Sequence, residues 1–405
     1  MNALSNSLTP QGERPLHIGF LYNHEGVHQV RHSAVVIPQI LERHQDIRIT
    51  VLATSDALIE AVIDICGPDR IWRMEIIKLS RPTWRTLLAG MLDKVSPFSR
   101  LDNLFSNRAL FAKFDAVIVT EGTSLFLKKL KGLEKLKVIR IDHGAGDRSI
   151  GFTRSFGGND LVLFAGEKQR KRFCQLGYLR DDQMAVVGYT KFDAVEIEGR
   201  TRRRLFPNDK PVVLYNPHPD PKLSSWYKMG LDVLDFFRTS QDYNLIFAPH
   251  VMLFQRRLHV SLEARVARFR RDLPQRFHNC PHILIDTGSS ASVDMTYTLA
   301  VDIYLGDVSS QVYEFLIDRR PCVFLNAHEA RWQGNADYAF WNFGPVVERV
   351  GDLPGVLRDV SASHARYRPV QDEAFKETFD LQATASSIRA ADVIADFLRG
   401  RYLAA

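Results

Sequence analysis

Short apolar runs alternate with helix-length amphipathic stretches along this chain, and they do so in two series. The first series begins with the runs 16–22 and 47–53, and the second begins with 212–215 and 244–248. Strands that alternate with helices in this way are typical of parallel sheets covered by helices on both faces. The sequence therefore predicts an α/β fold with two Rossmann-like, doubly wound domains.

The remaining elements follow from the same periodicity. Further strands are predicted at 116–119, 138–141, 161–164, 184–187, 282–285, 303–305 and 321–325, and helices at 27–43, 55–65, 84–92, 124–130, 167–176, 225–239 and 253–271. A charged, proline-bearing stretch at 198–211 separates the two series. We therefore predict a first domain over 15–205, a second over 206–380, and a C-terminal helix over 381–402.

Composition narrows the classes of protein to consider. The 405 residues are 45% hydrophobic and 25% charged, as in ordinary soluble domains. A net charge of +6 suits anionic ligands or an anionic membrane surface and is far below that of a nucleic-acid-binding arm. The four cysteines are widely scattered, which predicts reduced thiols and a cytoplasmic protein, and no signal peptide or membrane-spanning run is recognisable.

The stretch 301–326 predicts a strand, a turn, a helix and a second strand. Ser309 and Ser310 stand where this helix would begin, followed by Gln311. Serines at such positions cap helices, but the free N–H groups, the hydroxyls and the positive end of the dipole also suit a phosphate. Because capping explains one serine better than two, we favour phosphate binding.

Polar residues that directly follow strands are the best candidates for a site, since ligands of open α/β sheets lie beyond the carboxyl ends of the strands. His143 follows the strand at 138–141 and can accept a proton at neutral pH, with Asp142 or Asp147 to orient it. The adjoining Gly144 would let a ligand approach the backbone. The alternative is a histidine hydrogen-bonded within a tight turn.

Two further loops follow strands of the second series. Asn216 and His218 lie in a stretch with three prolines, which is either a rigid holder for a ligand or a simple connector. His250 ends the next strand, and Arg256 follows it, so the pair could bind diphosphate oxygens unless the arginine only covers a solvated surface.

A fourth candidate is Asp286 with Ser289, which could receive a nucleoside or sugar or simply cap the next helix. His24, His28 and His32 are spaced by four, as zinc ligands on a helix can be, but no further ligand is evident and we expect no metal. Asn23 and His24 are better candidates for contacting an acceptor. The Rossmann, P-loop and nucleophile-elbow motifs are missing, which argues against dinucleotide oxidoreductases, P-loop enzymes and α/β-hydrolases.

Together these stretches resemble the CDP-glycerol glycerophosphotransferase family of teichoic-acid primases and polymerases. The likeness is carried by the matching positions of the family pattern in the region 300–324, namely Ala300, Asp302, Asp307, Ser309, Ser310, Glu314, Phe315, Arg320, Pro321 and Phe324. The family's histidine-glycine loop resembles His143-Gly144, and its second-domain histidine resembles His250. Its glycine-tyrosine-proline stretch near the domain junction resembles Gly188-Tyr189-Thr190-Lys191-Phe192-Asp193. The chain departs from the pattern at Val308, where the family usually has tyrosine. It also departs at Ala145-Gly146-Asp147-Arg148, where the family's loop usually carries threonine and proline, and at Asn216-Pro217-His218, which replaces a usual proline-threonine-tryptophan.

The resemblance implies two domains of the GT-B type that face a cleft, a nucleotide-diphosphate donor, and an acceptor hydroxyl on a lipid-linked or polymeric molecule of the cell envelope. Candidate residues then divide by role: His143, Asp147 and His250 as catalytic; Asn216, His218, Arg256, Asp286, Ser289, Ser309, Ser310 and Gln311 as donor-binding; Asn23, His24, Gly144 and Arg148 as acceptor-side. We expect no cofactor and no nucleic-acid partner.

Other functions fit the same architecture. A UDP-sugar glycosyltransferase, an enzyme like UDP-GlcNAc 2-epimerase, or a nucleotide-binding module without turnover would each use such a cleft. Basic and aromatic residues also mix over 73–113, where we consider a peripheral membrane contact against the simpler interpretation of a surface insertion.

Overall fold

A computed structural model of the chain describes residues 14–24, 26–82, 98–195, 203–261 and 264–402. Two parallel sheets dominate it. One has seven strands in the order β3-β2-β1-β4-β5-β6-β7, and the other has six in the order β12-β9-β8-β13-β14-β15. In each sheet the order of the strands reverses once, between β1 and β4 in the first sheet and between β8 and β13 in the second. This is the doubly wound arrangement predicted from the sequence.

The first sheet forms because its strands, apart from the partly exposed edge strand β3, are largely apolar runs that are buried on both faces. Its strands are β1 (Leu16–Tyr22), β2 (Ile47–Ala53), β3 (Glu75–Lys78), β4 (Ala116–Val119), β5 (Lys137–Ile141), β6 (Leu161–Phe164) and β7 (Met184–Val186). The helices that accompany it are α1 (Val36–Arg43), α2 (Asp56–Cys66), α3 (Phe98–Ser106), α4 (Arg108–Phe111), α5 (Glu167–Leu176) and α6 (Thr190–Val195), with 3-10 turns at Val27–His32 and Thr123–Lys129.

The second sheet repeats this construction. Its strands are β8 (Val212–Asn216), β9 (Asn244–Phe247), β12 (Ile283–Ile285), β13 (Ile303–Gly306), β14 (Cys322–Leu325) and β15 (Val346–Val347), and a separate antiparallel hairpin consists of β10 (Leu258–Ser261) and β11 (Val266–Phe269). The helices are α7 (Trp226–Thr239), α8 (Met252–Gln255), α9 (Thr296–Ala300), α10 (Gln311–Phe315), α11 (Leu353–Ser363) and α12 (Arg368–Thr378), with a 3-10 segment at Ala336–Phe343.

The last helix, α13 (Ser386–Leu398), returns to the first sheet. Its buried residues Ala391, Ile394 and Leu398 belong to the same hydrophobic core as α1 and strands β1 and β2. The start of α13 packs closely against Gly188, which has a φ of 88°. A Cβ at this position would collide with the side chains of Ser386 and Arg389. The C-terminal helix predicted from its apolar stripe is confirmed, and it completes the core of the first half of the chain.

Several predicted elements are corrected by the structure. Residues 253–271 do not form one helix, because the alternation of exposed and buried residues in β10 has a period of two, and Arg265 adopts a φ of 52° at the turn of a hairpin. The predicted helix 27–43 divides into a 3-10 turn and α1, so that Pro38 lies in the first turn of α1, where its missing N–H costs nothing. His24 precedes both segments, so the three spaced histidines do not share a helical face.

Other differences are smaller. Strand β3 was not predicted, and the helix after the paired serines, α10, has only five residues. The helix predicted over 84–92 lies outside the described residues, as do residues 83–97 of the segment 73–113 considered for membrane contact. The first sheet ends at Val186 and the second begins at Val212; within this interval we propose the domain boundary at 205/206.

Candidate functional site

Two adjoining cavities lie between the two sheets' domains. One, of about 260 Å³, is bordered by the loop after β5 and by residues that follow β8 and β13, and the other, of about 350 Å³, extends from it towards α8. His143, Gly144 and Ser310 border both cavities. The two cavities therefore form one groove, hereafter the cleft, with residues of both domains on its walls.

The second sheet places its cleft residues at the point where the strand order reverses. Strands β8 and β13 are neighbours there, and His218 follows the first of them while Ser309 and Ser310 follow the second. The domains approach closely at this level, since a Cβ on Gly146 would lie 3.2 Å from the Cβ of Ser310. This is the location at which open α/β sheets bind ligands.

His143 has a defined tautomer. Its Nδ1 lies 2.7 Å from the main-chain oxygen of Thr120, and because a carbonyl oxygen can only accept, Nδ1 must carry the hydrogen. In the neutral ring Nε2 is then a proton acceptor. The ring is half-buried and makes an edge contact with the ring of His32, with centroids 5.9 Å apart.

The two second-domain histidines have the opposite tautomer. Nδ1 of His218 accepts the main-chain N–H of Asp220 at 3.1 Å, and Nδ1 of His250 accepts that of Met252 at 3.3 Å. Each ring therefore carries its hydrogen on Nε2 and can donate it. The two ring centroids are 6.0 Å apart.

Both rings are neutral at pH 7. Burial lowers the pKa of His250 from 6.5 to about 4. Burial also lowers the pKa of His218 well below its ordinary value, and the neighbouring His250 and the positive charge of Arg148 act in the same direction. The cleft thus contains one imidazole that can accept a proton and two that can donate hydrogen bonds.

The loop that carries His218 is held by the buried carboxylate of Asp307. One of its oxygens accepts the main-chain N–H of His218 at 2.9 Å and that of Val308 at 2.6 Å, and the other accepts the N–H and the hydroxyl of Ser225 at 2.6 and 2.8 Å. Burial raises the pKa of Asp307 to about 6, against the effect of these four donors. Asp307 therefore fixes the position of His218 relative to β13.

The paired serines differ in exposure. Ser309 is buried, and its hydroxyl oxygen accepts the main-chain N–H of Gln311 at 3.4 Å, whereas Ser310 is exposed to both cavities. The side chain of Gln311 donates to the carbonyl of Ser292 at 2.8 Å. Of the three, Ser310 is the one whose hydroxyl is accessible to a ligand.

Helix α10 is bonded to the first domain on both sides of the cleft. The hydroxyl of Tyr313 donates to Asp147 at 2.6 Å, and Lys168 pairs with the same carboxylate at 2.9 Å while its ammonium lies over the Tyr313 ring. On the other side Lys191 forms a buried ion pair with Glu314, with N–O distances of 2.7 and 2.8 Å. These contacts define how the two walls of the cleft face each other.

The expectation that an aspartate orients His143 is not met. Asp147 is occupied by Tyr313 and Lys168, and Asp142 by Arg140 at 3.0 Å and by Gln169 at 2.8 Å. The carbonyl of Thr120 orients the ring instead. Sequence reasoning could not find it, because every residue offers a carbonyl oxygen.

The structure brings together some of the sequence-predicted residues and separates others. The cleft is lined by His143, Gly144, Asp147, Arg148, His218, His250, Ser309, Ser310 and Gln311. The remaining predicted residues do not line the cleft, because their side chains contact other protein groups or lie on the surface. They are Asn23, His24, Asn216, Arg256, Asp286 and Ser289. The amide of Asn216, for example, donates to Ala248 and accepts from Tyr304, and so it connects neighbouring strands.

Several cleft residues were missed. Arg140 and Phe340 line the cavities, although no motif distinguishes them from structural residues in the sequence. His32 and Lys191 also line them, and each lies in a pattern noted in the sequence without having been assigned to the site. Among the described residues, no group of three or more histidine, cysteine or acidic side chains is placed to hold a metal ion. Within the same ranges, no helix combines the length and the apolar character needed to traverse a bilayer.

Comparison with known proteins identifies the architecture. No family model matches the chain, and no curated protein matches its sequence. Among solved structures, the wall teichoic acid polymerase TagF soaked with CDPG is similar with a TM-score of 0.60 at 14% identity, over 96% of this chain and 90% of that one. The UDP-GlcNAc 2-epimerase of Neisseria meningitidis bound to UDP-GlcNAc has a TM-score of 0.57 at 12% identity, over 95% and 99%. A glycosyltransferase of Rickettsia africae has a TM-score of 0.51 at 13% identity, over 96% and 100%.

The chain has the GT-B fold. Its two doubly wound domains and the cleft between them are the features of that fold on which the likeness depends. In this GT-B fold the helix α13 crosses back to pack on the first domain, so that the core of the first domain is completed by a segment from the second half of the chain.

Proposed function

We propose that this chain is a transferase that moves a glycerol-phosphate or glycosyl group from a nucleotide-diphosphate donor, of the CDP-glycerol type, to an acceptor hydroxyl in the synthesis of a cell-envelope polymer. The first domain would present the acceptor and the second would bind the donor. TagF, which shares the fold, is a wall teichoic acid polymerase, and this together with the sequence resemblance supports the donor class.

One observation carries the proposal. The proton-accepting Nε2 of His143 belongs to the same cleft as the N–H donors of His218 and His250 and the hydroxyl of Ser310. A base on one wall and neutral donors on the other is the arrangement needed to deprotonate a nucleophile and to stabilise a leaving anion.

The proposed reaction uses these groups in order. Nε2 of His143 takes the proton of the acceptor hydroxyl while the oxygen attacks the phosphorus or the anomeric carbon of the donor. The bond between the transferred group and the departing nucleotide breaks, and the nucleotide leaves with the electron pair. His218, His250, Ser310 and the positive charge of Arg148 would stabilise the developing negative charge, and proximity across the cleft supplies the rest.

The remaining residues have supporting roles in this proposal. Asp307 would position His218, and Asp147 would hold the two domains together through Tyr313 rather than take part in proton transfer. Ser309 and Gln311 would shape the backbone beside the donor phosphates. We place the protein in the cytoplasm, where its thiols remain reduced.

A thermal-shift screen with CDP, UDP, GDP and ADP diphospho-ligands tests the donor class, because a ligand that binds only the folded state raises Tm. Release of nucleotide from the best ligand is then measured with and without an acceptor. If the wild-type protein binds a donor but shows no acceptor-dependent release of nucleotide, the transferase proposal fails. With no release in either condition, the protein is a nucleotide-binding module.

A second candidate is favoured by the extent of the structural match. The UDP-GlcNAc 2-epimerase of Neisseria meningitidis is covered over 99% of its length, against 90% for TagF. An epimerase of this kind needs no acceptor and must exchange the proton at the inverted carbon. Incubation with UDP-GlcNAc in deuterated water therefore separates the two functions, since incorporation of deuterium without an acceptor would support epimerisation.

A further inference from the structure

The segment that contains the hairpin β10–β11 carries most of the excess positive charge of the protein. Residues 252–276, which contain it, have seven arginines and two acidic residues, hence a net charge of +5, whereas the whole chain carries +6. The segment begins immediately after His250 and Val251, which line the cleft. It is therefore a concentrated positive surface close to the proposed donor site.

One face of this hairpin is apolar and exposed. Leu258 pairs with Phe269 and Val260 with Ala267, and directly paired residues point to the same face of a sheet. Leu258 is 46% exposed, Val260 53% and Phe269 74%. On β10 the opposite face is turned inwards, since His259 and Ser261 are buried, whereas Arg268, which pairs with His259 on β11, is exposed. A contiguous exposed apolar face is unusual in a soluble protein and marks an interaction surface.

Arginines surround this apolar face. Arg257, Arg265, Arg268 and Arg271 are all exposed. Arg268 and Arg271 form no ion pair with any residue that the structure describes, and Arg257 lies 3.8 Å from Asp272, at the limit of an ion pair. Their guanidinium groups are therefore available for phosphate oxygens, which they can bind in bidentate fashion.

A basic recess adjoins β11. It has a volume of about 470 Å³, and its walls include Lys222, Lys228, Arg268 and Arg271. Phe269 belongs both to this recess and to the apolar face. Apolar side chains that can enter a hydrocarbon layer thus lie beside a positively charged recess that is large enough for the phosphate of a lipid headgroup.

We propose that the hairpin β10–β11 docks the protein on an anionic lipid bilayer, with Leu258, Val260 and Phe269 entering the interface and the arginines contacting lipid phosphates. A nucleic acid could stack a base on Phe269 but would leave the exposed aliphatic side chains of Leu258 and Val260 without a hydrocarbon partner. A second copy of the chain would bring two arginine clusters together. Amphipathic surfaces that combine apolar side chains with arginine bind anionic membranes through both contributions.

Sedimentation with lipid vesicles tests this proposal. The wild-type protein should bind vesicles that contain phosphatidylglycerol and should be released from them by high salt. Its affinity for phosphatidylcholine vesicles should be lower by a factor of about ten or more. Equal binding to both kinds of vesicle, or no binding to phosphatidylglycerol at low salt, would overturn it. Inorganic phosphate at the same charge concentration should not compete if the bilayer rather than free phosphate is the ligand.

Two pairs of variants locate the surface. Leu258→Ser with Phe269→Ser removes apolar contacts, and Arg268→Gln with Arg271→Gln removes charge; each should reduce vesicle binding about tenfold or more. The matched control for the apolar pair is Trp72→Ser, at a residue of the first domain that is 82% exposed. The matched control for the arginine pair is Arg180→Gln with Arg349→Gln, since both arginines are exposed away from the hairpin. Unchanged binding in the hairpin variants, or loss of binding in Trp72→Ser alone, would refute the assignment to the hairpin.

Folding and oligomeric state are checked in the same samples. Because the altered side chains are exposed, Tm and nucleotide-induced stabilisation should remain at wild-type values, which separates membrane docking from the proposed transfer chemistry. If light scattering shows that the wild-type protein is a dimer and Leu258→Ser with Phe269→Ser a monomer, the surface joins two copies and the bilayer proposal is wrong.

Discussion

Nδ1 of His143 lies 2.7 Å from the main-chain oxygen of Thr120, and this single contact determines which nitrogen of the ring can accept a proton. In His143→Asn the side-chain NH2 can occupy the place of Nδ1 and preserve the bond, while the Nε2 base is lost. We expect kcat of the proposed transfer to fall by about 10²–10⁴-fold with donor affinity and Tm unchanged. Single-turnover kinetics and nucleotide titration measure the two quantities.

The control for this variant is His278→Asn, at an exposed histidine outside the cleft. It should leave kcat unchanged. A kcat in His143→Asn within a factor of about three of the wild-type value would contradict the role of general base, since general-base catalysis contributes about 10²-fold or more.

The buried carboxylate of Asp307 leads to a second prediction. In Asp307→Asn an NH2 group must face donors on Ser225 or on the His218 loop, so that a donor opposes a donor. We expect the free energy of unfolding to fall by about 2–3 kcal/mol, against about 1 kcal/mol for Ser225→Ala, which removes one of the four donors. Urea denaturation measures both values, and equal losses would show that the four contacts do not converge on one charged group.

Asp307→Asn should also affect donor binding, because His218 would no longer be held against β13. KM for the donor should rise more than kcat falls. If Asp307 had a purely structural role, the ratio of KM to kcat would be unchanged in the molecules that remain folded. The comparison therefore separates positioning from stability.

The ion pair between Lys191 and Glu314 joins the domains in a buried environment, and Tyr189 donates a further hydrogen bond to the same carboxylate. Removing one partner leaves an uncompensated buried charge, at a cost of about 3–5 kcal/mol, whereas removing both costs much less. Lys191→Met combined with Glu314→Gln should therefore unfold at a higher temperature than either single variant. Thermal unfolding of the four proteins in a double-mutant cycle tests this, and additive losses in Tm would argue against direct pairing.

His250 gives a prediction on pH. Its pKa is about 4 in the folded chain and 6.5 when unperturbed, so between these values the unfolded chain binds more protons and acidification favours unfolding. His250→Asn keeps an acceptor for the N–H of Met252 but does not titrate. From pH 7 to pH 4 the wild-type protein should lose up to about 3 kcal/mol more of its free energy of unfolding than the variant loses.

Urea denaturation at several pH values provides the measurement. Parallel curves for the two proteins would mean that the ring is solvated in the folded state. In that case the proposed role of His250 as a desolvated neutral donor would have to be abandoned.

The sequence predicted the strands well because continuous apolar runs such as Leu16–Tyr22 and Ala116–Val119 leave few alternatives. It also predicted that His143 and Ser310 would face the same cleft, since both follow strands in doubly wound halves, and both residues border the two cavities. The hairpin β10–β11 was predicted as a helix because arginine, leucine and alanine favour helices locally, whereas its pairing and packing against the domain favour strands.

Contacts between distant segments could not be predicted from the sequence. Nothing in the residues near Asp147 shows that its partner is the hydroxyl of Tyr313, far along the chain and in the other domain. Asn216 is equally uninformative, because an amide that follows a strand can bind a ligand or connect two strands with the same local pattern. Burial decides between these uses, and burial is a property of the assembled domains.

The packing of α13 on the first sheet has a consequence for synthesis of the protein. The ribosome delivers Ile394 and Leu398 after every strand of both sheets, yet these side chains complete the core around α1. The first half cannot reach its final stability during translation, however early its strands pair. A nascent chain that stalls before Ser386 should consequently remain sensitive to protease in its N-terminal half, even where the second sheet has already become resistant.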